Sequence, residues 1–277
     1  MSDILNFEDK IEIIESIPMN GSIFEICELK ELDGANSPAM AMSLYFAKQQ
    51  GLKVRFVRIH LNNTGIKTEA GALYYYHGNI QCQTQIGGVG GFIKKTIAGS
   101  LTGESSMKPS YFGNGMIYLE PSFKHYLSVT LENNAVVVDK SMFYCCSDSV
   151  NVRPIMQKNV SSAALGQEGL FQIELSGNGL VILESPVPAS EIQQFWLEPG
   201  QELKVDGNFA ILRSANISFS VTTSEKSLFG TALNGEGFLN TFRANQPGFV
   251  WIAPTAPIYS KLGRGENLSN KGSNNTQ

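Results

Sequence analysis

Three histidines, four cysteines, a few carboxylates and one glycine-rich loop are the groups with which this chain could do chemistry. His60, His77 and His125 form no HExxH and no other close pair, so no metal site is expected from their spacing. They read as strand or surface histidines with ordinary partners, and His77 is placed in a turn after Tyr74-Tyr75-Tyr76. Cys27, Cys82, Cys145 and Cys146 show no CxxC spacing and are too sparse for a disulfide framework. Neighbouring Cys145 and Cys146 on a strand would point to opposite faces. The cysteines therefore predict reduced thiols in a cytoplasmic protein.

Nucleophile and phosphate motifs are equally sparse. There is no Gly-Lys dipeptide for a phosphate-binding loop and no GxSxG elbow. The run Gly88-Val89-Gly90-Gly91-Phe92-Ile93 has Ile93 where a dinucleotide fingerprint needs its third glycine. Ser105-Ser106-Met107-Lys108 matches SxxK, but its companion KTG element is missing. Glu69, Glu132 and Asp206 each stand beside a turn-like stretch, which predicts a hairpin role rather than acid–base work. No catalytic residue, no metal and no cofactor are expected. The competing enzyme reading needs a site assembled from residues distant in sequence.

The best binding candidate is the loop Gly87–Glu104, GGVGGFIKKTIAGSLTGE, which interrupts a repeat as functional loops on rigid scaffolds often do. Gly88 and Gly91 permit close backbone approach, Lys94 and Lys95 could meet an anion, and Glu104 closes the segment. This reading implies a small-molecule or lipid-headgroup module. The alternative is a cap over an open end of the β body. Phe92, Ile93 and Ile97 form a stripe too short for more than a weak membrane contact.

The elements that must carry these groups are mostly strands. The chain has 277 residues, 42% hydrophobic and only 17% charged, with 27 glycines. The charged share lies below the roughly 25% usual for soluble domains, and many glycines suit short strands and tight turns. A net charge of −4 gives no bulk attraction to nucleic acid or anionic membranes. The N-terminus is acidic and does not read as a signal or transit peptide.

Repetition organises the chain. Gly113-Asn114-Gly115-Met116-Ile117-Tyr118-Leu119 returns as Gly177-Asn178-Gly179-Leu180-Val181-Ile182-Leu183, with a looser copy around Gly248. A second motif interleaves: Ile66 to Tyr74 matches Leu203 to Ile211, with a middle copy from Val129 to Val137. Each copy puts a Gly- or Asn-rich turn before an apolar strand, a hairpin signal. The fold expected is all-β with a minor helix: three pseudo-repeats of antiparallel strands packed as one compact sandwich or barrel body. Residues 1–51 form a lead-in with a helix over 37–50, where Ser37 caps, Pro38 starts and Gly51 ends it. Residues 52–262 hold the repeats. Residues 263–277, rich in Gly, Asn and Ser, form a disordered tail. About half of Tyr74, Tyr75, Tyr76, Phe143 and Tyr144 should be buried by strand alternation.

The ordered set EAGALYYYHGNI, GGVGGFIKKTIAGSLTGES, GNGMIYLEP, VDGNFAILRS and GEGFLNTFRANQPGFVWI resembles a widespread bacterial family. Its eukaryotic relative is altered inheritance of mitochondria protein twenty-four. The resemblance covers residues 52–258. It implies a fold like that of the tryptophan RNA-binding attenuation protein, in three pseudo-repeats; the mitochondrial relative is linked to inner-membrane organisation and not to catalysis. It carries over no active-site residue. Together these readings predict a non-enzymatic cytoplasmic binding or scaffold protein. Its expected partners are copies of itself or another protein, and not nucleic acid.

Overall fold

The computed structural model describes residues 7–83, 108–156, 171–206, 209–223 and 238–265. The chain is β-rich and divides into two compact units, one built around residues 1–134, 143–151 and 176–185, the other from the rest.

The first unit begins with a 3₁₀ turn, Phe7–Lys10, and a hairpin of β1 (Ile11–Met19) and β2 (Ser22–Leu29). Its two-residue loop is Asn20-Gly21, both at positive φ (51° and 84°). That is the mirror-image turn whose twist matches the strands, and Asn-Gly is the pair best suited to it. Residues 1–51 thus supply sheet as well as helix. Helix α1 (Pro38–Gln49) follows; the Ser37 side chain accepts from the Met40 amide, and Gly51 turns the chain at φ 66°.

β3 (Arg55–Thr68) pairs with β2, with β5 (Ser110–Leu119) and, over its last residues, with β7 (Phe143–Ser147). β4 (Leu73–Gln83) pairs with β5. β7 in turn pairs with the later part of β9 (Phe171–Ser185). All these pairings are antiparallel. Alternation sends Phe24, Ile26, Val57, Ile59, Leu61, Ile117 and Leu119 into the main core with Leu180 and Ile182. The opposite face carries a smaller cluster of Ile11, Cys27, Phe56 and Tyr118.

The Gly-Asn-Gly repeat has a clear structural purpose in this unit. Asn63, at φ 50°, is the extra residue of a bulge in β3, and its amide donates to Asn114 Oδ1 at 2.8 Å. Asn133, at φ 54° in β6 (His125–Asp139), donates its amide to Asn178 Oδ1, also at 2.8 Å. Each central asparagine caps a left-handed asparagine on another strand. Glu132–Asn134 therefore lies inside the continuous strand β6, not in a hairpin turn as its similarity to Glu69–Gly71 suggests.

The second unit sets the end of β6 beside β12 (Ala210–Ser214), then β15 (Gly248–Ile252) and β10 (Gln193–Leu197). A separate sheet orders β11 (Glu202–Asp206), β14 (Phe238–Ala244) and β13 (Ile217–Thr223). Leu197, Val205, Ile217, Phe242, Val250 and Ile252 fill its core. β8 (Val150–Met156) pairs with β9, and helix α2 (Ala256–Gly263) follows β15. No closed barrel forms among the described strands.

All four cysteines are unpaired, and Cys27, Cys145 and Cys146 are buried. Burial pushes the Cys27 and Cys146 thiols up to about 12. The folded state keeps these protons while the unfolded chain releases them above pH 9. Stability therefore falls as pH rises from about 9 toward 12. Burial raises the Cys145 thiol as well, and three such thiols predict a loss of about 4 kcal/mol between pH 8 and pH 10. Urea unfolding at the two pH values checks this, and Cys27→Ala should remove about a third of the loss.

Candidate functional site

The densest polar cluster lies on the first unit, on the sheet face opposite the main core. Strand register sets Glu25 of β2 across from Arg58 of β3, Arg58 across from Tyr118 of β5, and Tyr118 across from Tyr75 of β4. His60, two residues beyond Arg58, therefore projects from the same face.

Arg58 has only 6% of its side chain exposed. Its Nε donates to Glu25 Oε2 at 2.6 Å, and its Nη1 donates to Glu8 Oε2 at 2.6 Å. Glu25 Oε2 also meets His60 Nε2 at 2.9 Å. Tyr118 donates its hydroxyl to Glu8 Oε1 at 3.4 Å. Burial disfavours the Arg58 charge, but hydrogen bonds to Glu8 and Glu25 outweigh it and hold the guanidinium above its ordinary range. Burial pushes the Tyr118 phenol up, so it stays a donor at neutral pH.

Aromatic rings wall the cluster. Tyr118 stacks on Tyr75 at 4.4 Å between centroids and on Phe56 at 6.2 Å, and the Arg58 guanidinium lies over Tyr118 at 5.9 Å. The arrangement presents a desolvated guanidinium and a phenol as donors to carboxylates, here those of Glu8 and Glu25. Its members come from four separate segments, and the sequence reading did not bring them together.

Beside this cluster runs β4, an edge strand among the described residues. Tyr74, Tyr75 and Tyr76 are all exposed, whereas Phe143 and Tyr144 on β7 are buried. Two of the five are therefore buried, close to the half expected, but the division falls between strands rather than alternating along each one. His77 sits inside β4 opposite Met116, not in a turn.

A second feature is a groove of about 340 Å³ between α1 and the segments flanking it, lined by Leu29, Leu32, Tyr45, Lys48, Leu52 and Phe123. No residue of α1 is buried, and Met42, Tyr45 and Phe46 face solvent. In the second unit, Arg213 is buried and donates to the Ile217 carbonyl, while its Nε has no partner among the described residues. Burial drives the Arg213 guanidinium down to about 10.

The residues singled out in the glycine-rich loop, Gly88, Gly91, Lys94, Lys95 and Glu104, lie outside the described residues, as does most of 263–277. Lys108 of the SxxK match is ion-paired with Glu69 and lies over the Phe143 ring. Glu69 also caps the turn into β4 by accepting from the Ala70 amide. His125 Nδ1 lies 3.4 Å from Arg55 Nη1, so the three histidines do not converge. Among the described residues, no three His, Cys, Asp or Glu side chains are grouped to hold a metal, and no helix is long and apolar enough to cross a membrane.

Fold and site define an all-β protein of internally repeated antiparallel strands, with a buried arginine cluster beside a long edge strand. The chain belongs to the family described as mitochondrial biogenesis AIM24, whose model matches residues 46–255. The crystal structure of a Streptococcus pyogenes protein from a structural genomics programme is similar in fold. It has a TM-score of 0.56 at 19% identity and spans 76% of this chain and 94% of its own. No curated protein matches the chain.

Proposed function

We propose that this chain is a non-enzymatic scaffold of the cytoplasm that assembles with copies of itself through the edge of β4 that is unpaired among the described residues. The observation that carries the reading is the contrast between two edge strands of the first unit. β1 carries Glu12, Glu15 and Pro18, the usual devices against edge-to-edge pairing. β4, LYYYHGNIQCQ, has eleven residues with no charge and no proline, and presents three exposed tyrosines. β4 has a bulge of its own at Tyr74, so the contrast with β1 lies in charge and proline, and an uncharged edge of that length is a template for another strand. Four unpaired cysteines support a reducing compartment. In this reading the partner is a second copy, and neither nucleic acid nor a cofactor takes part.

The test is sedimentation of the full chain against His77→Lys/Asn79→Lys. Both residues are exposed, so the double variant should fold with a stability change within about 0.5 kcal/mol. Like charges placed on paired edges repel, so the expected result is dissociation of a wild-type multimer to monomer. A wild-type monomer, or a multimer that the double variant leaves intact, overturns the reading.

A further inference from the structure

The ionic groups around Arg58 are unequal. Glu25 is buried, with 10% of its side chain exposed, and by itself neutralises Arg58. Glu8 is a second carboxylate on the same guanidinium, and 59% of its side chain is exposed. The turn that carries it, Phe7–Lys10, buries no residue, and Phe7 is exposed. Besides Glu8, the turn is tied down by polar contacts: Lys30 Nζ donates to the Asp9 carbonyl, the Lys30 amide to the Lys10 carbonyl, and Lys10 pairs with Asp33 at the surface. A buried, prepared donor pair is thus filled by a loosely held surface anion.

We propose that Arg58 and Tyr118 form a carboxylate-binding site for an acidic peptide segment of a partner protein, and that Glu8 occupies this site in cis as a displaceable latch. Arg58 Nη1 and the Tyr118 hydroxyl are the two donors. Glu25 and His60 are positioning residues: Glu25 grips Nε and so aims Nη1, and His60 holds Glu25. The rings of Tyr118, Tyr75 and Phe56 supply an apolar wall for the residues beside the acidic one. A partner's carboxylate gains the same two donors once Glu8 has swung away. The latch does not rest on strand pairing by β4, because its read-out is peptide affinity, and His77→Lys/Asn79→Lys leaves both donors in place.

The experiment uses the full chain, wild type and Glu8→Gln, titrated with a fluorescent peptide of sequence NFEDKIE. A control peptide has glutamine at the first glutamate. A charge-assisted hydrogen bond predicts about tenfold tighter binding of the glutamate peptide by Glu8→Gln than by wild type. The glutamine peptide should bind Glu8→Gln about tenfold more weakly than the glutamate peptide does. Adding Tyr118→Phe should weaken the glutamate peptide several-fold without changing the melting temperature by more than about 4 °C. Equal binding by the two proteins, equal binding of the two peptides, or no saturable binding to Glu8→Gln overturns the proposal.

Discussion

Gly113→Ala will cost the fold on the order of 4 kcal/mol or leave no cooperatively folded protein, because backbone stands where its methyl group must go. Gly113 and Gly115 sit in mid-strand at φ 146° and 152°, within the region that L side chains rarely adopt. A Cβ on the facing Gly78 would lie 2.6 Å from the Asn114 carbonyl oxygen and from Gly115 Cα. A Cβ on Gly113 or Gly115 would meet a β4 carbonyl oxygen closer still, that of Asn79 or His77. Neither obstacle is the end of a flexible side chain, so β4 and β5 must separate. Gly71→Ala is the control: it has φ 84° but open space around its Cβ, and should cost only about 1–2 kcal/mol. Urea unfolding followed by circular dichroism compares the two. A Gly113→Ala protein within about 1 kcal/mol of wild type contradicts this account of the repeat.

Arg58→Leu should cost about 3–5 kcal/mol, because it leaves the buried Glu25 carboxylate without its ionic partner. Removing both charges is a different case. Arg58→Leu/Glu25→Leu should recover most of that loss, since an apolar pair of similar volume often replaces a buried ion pair without penalty. Glu8→Gln should cost less than about 1 kcal/mol, as its side chain is mostly in water. A double-mutant cycle on Arg58 and Glu25 measures the coupling. Near-additive losses would mean that the two side chains do not act as a pair.

What the sequence revealed depends on how far apart the interacting residues lie. The helix over Pro38–Gln49 was legible because its signals are local: Ser37 caps the Met40 amide three residues on. The Gly-Asn-Gly repeat was legible as a pattern, but its purpose was not. Asn114 serves Asn63 and Asn178 serves Asn133, and nothing within either motif names its partner. Asn20-Gly21 was a readable hairpin signal inside IEIIESIPMNGSIFEICEL, yet the segment reads as a lead-in when repeats alone define the body. The arginine cluster was invisible because Glu8, Glu25, Arg58, His60 and Tyr118 each look like an ordinary polar residue of a strand or its flank. Only register brings them together. That Tyr74, Tyr75 and Tyr76 are all exposed while Phe143 and Tyr144 are both buried was also hidden, since which strand faces lie covered is a property of topology and not of composition.

The central claim is that the outer edge of β4, unpaired among the described residues, joins copies of this chain. Native mass spectrometry of the full chain, purified gently from its own cells, tests it most directly. The account predicts a discrete multimer that becomes a single chain in His77→Lys/Asn79→Lys. A wild-type spectrum showing one chain alone, or a multimer that survives those two lysines, would contradict it.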